Sequence, residues 1–171
     1  MNKIISASEA INIIQDNNVL ASSGFRWSGS PELLLSELGL QFEKNKSPKD
    51  LTLIFSSAQG DNINNGLENL AHKALLKRVI GGFWGITPKL FELAKNNHIQ
   101  AYNLPQGVLT RLYSSIASKS PGLITKTGLG TYIDPRHEGG KLNKITKENL
   151  IEIVQICGEE YLLYKSIKID I

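Results

Sequence analysis

The chain has 171 residues, 41% of them hydrophobic and 20% charged, with a formal net charge of +3. That length suits one domain with a sizeable core, and the composition excludes a disordered or membrane-like polypeptide. No apolar run approaches the roughly 18 residues of a membrane-spanning helix, and the scattered lysines form no basic stripe with interleaved aromatics, so neither a membrane nor a nucleic acid is an expected partner.

The amino terminus, Met1-Asn2-Lys3-Ile4-Ile5-Ser6, has one cation and no long apolar stretch, so it reads as no secretory signal and the expected compartment is the cytoplasm. Ser6-Ala7-Ser8-Glu9 has the spacing of a capping box, with Ala10, Ile11, Ile13 and Ile14 as the apolar face of the helix that follows. Val19-Leu20-Ala21-Ser22 is a short strand running into Gly24. Ser30-Pro31 opens a helix whose buried stripe is Leu33, Leu34, Leu35 and Leu38, ending at Gly39. Lys44, Lys46 and Lys49 around Ser47-Pro48 read as a solvated loop.

The same cycle then repeats. Leu51-Thr52-Leu53-Ile54-Phe55 is a continuous apolar strand of the kind buried on both faces of a parallel sheet. A polar loop, Gly60-Asp61-Asn62 with Asn64-Asn65-Gly66, precedes a helix expected over 67–76. Arg78-Val79-Ile80 leads into Gly81-Gly82, and Pro88 starts a helix through Leu93 and Ala94. Ile99-Gln100-Ala101-Tyr102 is another strand, followed after Pro105 by a helix carrying Val108, Leu109, Leu112 and Ile116. Pro121-Gly122 turns into Leu123-Ile124-Thr125, and 150–156 with 161–165 read as a β-hairpin. Strand, glycine-bearing loop and helix in alternation predict an α/β fold: one open, mostly parallel sheet with flanking helices and a β-hairpin near the carboxyl terminus. The strands should end together at Gly24, Ser56, Gly82 and Asn103, where a crevice for ligands forms. No linker, repeat or low-complexity tract divides the chain, so 1–171 is read as a single domain, and 166–171 as the start of another element or a terminal edge strand.

Chemistry is sought in those strand-end loops. Ser23-Gly24-Phe25-Arg26-Trp27-Ser28-Gly29-Ser30 joins a strand to a helix amino terminus, a place suited either to an anion or thioester carbonyl or to an ordinary capped turn. Gly81-Gly82 permits close approach of a backbone or a ligand, and Trp84 beside it reads as a core or interface anchor. Gln106 at a helix start is either a neutral donor to a carboxylate or acyl oxygen, or an exposed capping residue. Asp134 with Arg136, in the loop holding Gly128 and Gly130, reads as a bracing ion pair. His72, His98 and His137 lie in unrelated segments and no ligand spacing exists, so no metal is expected. Phosphate-loop, dinucleotide and G-x-S-x-G signatures are absent, and Cys157, unable to form an internal disulfide, reads as core rather than nucleophile.

In order, Gly24 with Pro31, Gly60-Asp61, Gly66, Arg78-Val79-Ile80-Gly81-Gly82, Trp84-Gly85, Ala101 to Val108, Pro121-Gly122, Gly128 to Arg136, Gly139 to Asn143 and Tyr161 to Lys165 resemble the amino-terminal half of a family I coenzyme A transferase of the acetate/propionate type. The resemblance implies two similarly built halves facing each other across an active site. It also implies catalysis by a glutamate of the second half, which attacks an acyl-CoA, becomes a glutamyl-CoA thioester and passes the CoA to a carboxylate. On that basis Gly24, Phe25, Gly82, Gln106, Gly107, Gly128 and Gly130 contribute to substrate binding, while none of the glutamates present lies in a segment like the catalytic one. Coenzyme A and acyl-CoA are then substrates, with no permanently bound cofactor. The implied partners are a short-chain carboxylate, a separately encoded second half and, in the complete enzyme, further copies of itself. Family first halves run past this length, which implies that the strand beginning near Ile167 continues. Two positions depart from the pattern: relatives often carry histidine where Phe83 stands, and small residues where Phe25-Arg26-Trp27 stand. The competing readings are an inactive gene remnant and a stand-alone sugar-phosphate isomerase or ligand-binding domain of related fold.

Overall fold

A computed structural model describes residues 4–171. The elements are α1 (Ala7–Ile11), β1 (Val19–Ser22), α2 (Glu32–Asn45), β2 (Leu51–Phe55), a 3₁₀ helix (Gly66–Leu70), β3 (Leu76–Gly81), α3 (Pro88–Lys95), β4 (Gln100–Asn103), α4 (Gln106–Ala117), β5 (Gly122–Thr125), β6 (Ile151–Ile156) and β7 (Glu159–Lys165). Strands β1-β2-β3-β4 lie in that order in a four-stranded sheet, and each neighbouring pair is parallel. The expected parallel sheet is therefore present, with its strand ends at one edge. All five residues of β2 are buried, as its unbroken apolar sequence requires of a central strand covered on both faces.

Each face has its own cover. Leu20, Leu53, Phe55, Val79 and Ala101 pack against α1, α2, the 3₁₀ helix and α3 through Ile11, Leu38, Leu67 and Leu90. On the other face Ile54, Ile80 and Tyr102 meet Val108, Leu109 and Leu112 of α4, then Leu162 and Tyr164 of a second sheet. That second sheet is antiparallel, ordered β5-β7-β6. Its hairpin turn is Cys157-Gly158, with φ of 53° and 79°, the paired left-handed backbone of a two-residue hairpin loop. Cys157 is exposed there, so the expectation of a core cysteine is wrong: the turn, not the strand, claims it.

Three further expectations need correction. The helix predicted to end at Gly39 runs on to Asn45, because Phe42 is buried one turn further and Lys46 closes the helix in the left-handed region with its N–H on the Phe42 carbonyl. Gly39 serves packing instead: a Cβ there would stand 2.4 Å from the Asn69 carbonyl oxygen. Its amino terminus also differs, since Ser30 makes no cap and Glu32 bonds Gly66 N–H and Asn69 Nδ2. The helix predicted over 67–76 is a single 3₁₀ turn followed by β3. Leu67, Leu70, Leu75 and Leu76 are all buried, but the first two belong to the 3₁₀ turn, Leu75 to a second turn and Leu76 to β3. Finally, Ile13, Leu33 and Leu34 are exposed, and α1 holds only five residues despite a complete capping box.

Candidate functional site

The loops at the carboxyl edge of the parallel sheet are joined into one row. The β1–α2 loop folds into a tight turn through Phe25 N–H to Ser28 O and the reverse bond, both 2.9 Å. Arg26, at φ 52°, then donates its N–H to Ala58 O at 3.1 Å and accepts from Gly60 N–H at 2.9 Å, so this turn is bolted to the loop after β2. Gln59, wholly buried beneath it, accepts the Ser22 hydroxyl at 2.6 Å and donates back to the Ser22 carbonyl at 3.1 Å. Ala58 N–H in turn donates to Phe83 O at 3.1 Å, joining the loop after β2 to the loop after β3.

Gly82 and Gln106 meet next. A Cβ on Gly82 would lie 2.2 Å from the Ser56 carbonyl oxygen and 2.9 Å from the Gln106 Cα, so only glycine lets the ends of β2 and β3 and the start of α4 come this close. Gln106 and Gly107 begin α4 directly after Pro105, both exposed, and no side chain caps this helix. The Gln106 and Gly107 N–H groups have no partner among the described residues, whereas Val108 N–H turns back to Pro105 O at 2.9 Å; the two open N–H groups and the exposed Gln106 side chain thus stand at the positive end of a twelve-residue helix dipole. Capping does not explain Gln106. Nothing lies within 4 Å of where a Gly107 Cβ would stand, so a ligand has room there.

The row continues through Asn103 and Tyr132. The Tyr132 hydroxyl donates to the Asn103 carbonyl at 3.1 Å and accepts from Asn103 Nδ2, fixing the 126–140 loop to the end of β4. Burial raises the Tyr132 phenol above its ordinary pKa, so it stays a donor at neutral pH. Asn103 Oδ1 is buried without a partner. Two hollows flank this point: one of about 150 Å³ lined by Gly82, Phe83, Trp84, Phe91, Asn103 and Leu142, and one of about 180 Å³ containing Gly107, Arg111, Thr125 and Thr127. Trp84 is core, packed edge-on against Phe55 and Phe91 with its indole N–H on Tyr102 O at 3.2 Å.

Gly128 and Gly130 share the last loop but face differently. Gly128 packs inward, where a Cβ would meet the Tyr164 hydroxyl at 2.6 Å, whereas Gly130 has open space and gives its N–H to Asp134 Oδ2 at 2.9 Å. Asp134 is buried and takes two bonds from the Arg136 guanidinium, which holds its carboxyl well below the usual range. Arg136 also reaches Glu160 at 3.0 Å, tying the loop to the β6–β7 hairpin, so the pair braces as expected.

Like Asp134, two more acids are committed to structure. Asp61 Oδ1 accepts three successive backbone N–H groups, and its pKa falls to about 2, chiefly through the Asn65 N–H. Glu68, buried like Asp134, accepts the Lys89 and Leu90 N–H groups at the start of α3; burial raises its pKa despite those bonds. None of these three, Asp61, Glu68 and Asp134, is therefore a carboxylate free to attack an acyl group. Among the described residues no group of three or more His, Cys, Asp and Glu could hold a metal ion, and no helix is long and apolar enough to cross a membrane. Of the residues expected to bind substrate, Gly82, Gln106 and Gly107 come together at this edge; Gln59, Asn103 and Tyr132, which stand beside them, were not among those expected. Gln59 and Asn103 do carry a signal, as amide side chains placed where an apolar strand ends.

Comparison with known proteins matches this arrangement. The chain is 41% identical over 170 residues to the acetate CoA-transferase YdiF of Escherichia coli K12, which covers 98% of this chain and 32% of that one. It is 40% identical over 171 residues to the caffeate CoA-transferase of Acetobacterium woodii, covering 100% of this chain and 33% of that one. A crystal structure of the acyl-CoA transferase YdiF from Escherichia coli O157:H7, a thioester complex with CoA, superposes with a TM-score of 0.90 at 39% identity, covering 95% of this chain and 32% of that one. The chain thus spans about a third of the length of the curated relatives it matches. The coenzyme A transferase family profile matches residues 4–171, and with the identities above it places this chain in the coenzyme A transferase family.

Proposed function

We propose that this chain supplies the amino-terminal, acceptor-side part of an enzyme moving coenzyme A between a short-chain acyl-CoA and a carboxylate such as acetate or propionate. The observation that carries the reading is the convergence of Gly82, Gln106 and the open start of α4 at one sheet edge in a chain of this family. In this reading the carboxylate acceptor or the thioester carbonyl lies against the first turn of α4. The Gln106 amide and the adjacent N–H groups stabilise oxygen charge as the thioester forms and breaks. Gly24, Phe25, Gly107 and Gly130 border the same crevice, and Gly82 keeps it open by admitting Gln106. Neutral donors suit this chemistry, because negative charge moves between a carboxylate and a thiolate and a fixed cation would favour one state. The nucleophilic glutamate comes from a second half, encoded with this one or apart from it, and the complete enzyme is a homo-oligomer acting in the cytoplasm. Coenzyme A is a substrate rather than a resident cofactor.

The test uses the chain combined with a carboxyl-terminal half that contains the glutamate. Mixing should give CoA exchange between acetyl-CoA and propionate, and Gln106→Ala should lower that rate on the order of 10²-fold. An unchanged rate would remove Gln106 from the chemistry.

A further inference from the structure

The hollow of about 180 Å³ between the start of α4 and β5 holds Gly107, Arg111, Thr125 and Thr127. Val108 and Leu123 give it an apolar side, and none of its lining residues is acidic. Arg111 is exposed and stands one helical turn after Gly107, on the same face of α4. Other cations of this region have acid partners. Arg136 pairs with Asp134 and Glu160, Arg78 with Glu148 at 2.7 Å, and Lys126 with Glu159 at 2.9 Å. Arg111 has no hydrogen bond or ion pair among the described residues, so its guanidinium donors are all unused. Thr127 adds a second open donor. Its Oγ1 accepts the Thr125 hydroxyl at 3.1 Å and its N–H bonds Thr125 Oγ1 at 3.2 Å, while its own hydroxyl proton meets no acceptor among the described residues.

We infer that this hollow takes a second carboxylate, at the far end of a dicarboxylic acyl group whose reacting carboxyl lies against Gln106, and that Arg111 selects for such acids. The inference rests on the transfer reading proposed above and adds a substrate class to it. Gly107 and Arg111 are about 6 Å apart along the helix axis, a span within reach of one short diacid. The phosphates of coenzyme A are separated from its sulfur by the whole pantetheine arm, so they do not reach this hollow while the thioester lies at Gln106. A planar guanidinium meets a carboxylate with two parallel N–H bonds, and the Thr127 hydroxyl can add another. Val108 and Leu123 lie against the methylenes between the two carboxyls. A fixed cation at this place does not favour one side of the transfer, because the far carboxylate keeps its charge from free acid to thioester.

The test compares glutarate with valerate, acids of equal carbon number in which a methyl group replaces one carboxylate. Titrated into the 171-residue protein, glutarate should shift the Arg111 and Thr127 amide resonances at a concentration on the order of tenfold lower than valerate does. The difference should shrink as salt is added. Arg111→Met keeps an apolar stem without the charge and should bring the two acids together, whereas Arg111→Lys should keep part of the preference. In the enzyme reconstituted with a carboxyl-terminal half, the ratio of kcat/KM for glutarate over valerate should fall by a similar factor in Arg111→Met. Equal shifts from both acids in the parent chain, or a preference that survives Arg111→Met, would overturn the inference. So would inorganic phosphate shifting the same amides as strongly as glutarate, the behaviour of a site for any anion. Preferential glutarate binding lost in Arg111→Met, without exchange of any acid by the reconstituted enzyme, would sink the transfer reading and leave the diacid site standing.

Discussion

The parallel sheet has two outer edges, and the chain treats them differently. Beyond β4, the segment from Gly140 to Leu142 lies antiparallel to the strand: Asn103 N–H donates to Gly140 O at 2.8 Å and Leu142 N–H to Ala101 O at 2.9 Å. Behind it Thr146 Oγ1 accepts Ala101 N–H at 2.8 Å, and Asn143 Nδ2 donates to Ala94 O and Ile99 O. The Ala101 and Asn103 backbone groups on this edge thus have partners, and Tyr132 of the preceding loop is fixed against Asn103. Beyond β1, only Asp170 and Ile171 pair among the described residues, and the adjoining face of α1 and α2 leaves an apolar hollow. An uncovered strand edge is a template for association, which proteins ordinarily blunt. The candidate site is consequently rigid at its β4 side, where Gln106 and Asn103 stand, and least supported at its β1 side, where the Phe25 turn hangs from a half-paired strand.

This contrast can be broken from either side. The largest effect is expected at the covered edge: Asn143→Ala removes two bonds to Ala94 and Ile99 and one from Thr146, and should cost about 3 kcal/mol in chemical denaturation. A loss under about 1 kcal/mol would mean the cover is incidental. At the open edge, Leu34→Lys should reduce binding of an apolar dye while changing stability by less than about 0.5 kcal/mol, because Leu34 is already 40% exposed. Unchanged dye binding would move the apolar surface elsewhere. The smallest effect concerns pH. The Val19 N–H bond, with help from Lys168, lowers the Asp170 pKa in the folded chain. A depressed folded pKa contributes stability above the ordinary carboxylate range and loses it as pH falls through the folded value. Asp170→Asn should therefore melt slightly below the parent chain at pH 7, with the gap closing in strong acid. A gap that grows on acidification would reverse the sign.

What could be read in advance follows the range of the forces concerned. β2 was legible because an unbroken Leu51-Thr52-Leu53-Ile54-Phe55 has no amphipathic alternative, and α3 because Pro88 fixes its start. The 67–76 segment was not, since Leu67, Leu70 and Leu75 mimic helical spacing while Glu68 is drawn to the start of α3 across 21 residues. Gly39 misled for a similar reason: a glycine admitting the Asn69 carbonyl looks, in sequence, like a helix end. At the site, Gln106 was visible through Pro105 and Gly107 beside it. The Asn103–Tyr132 bond joins residues 29 apart, and nothing local announces it. The Arg26–Gln59 clamp is likewise tertiary, so the bulky Phe25 turn appeared only as a departure from the family pattern.

The proposed assignment gives this chain the binding edge of a coenzyme A transferase without its nucleophile. The direct measurement is to incubate the purified 171-residue protein with acetyl-CoA, treat it with borohydride, and examine it by mass spectrometry for a reduced glutamyl residue while following CoA exchange into propionate. Under that assignment neither modification nor exchange is expected. A reduced glutamate on this chain, with turnover in the absence of any second polypeptide, would contradict it.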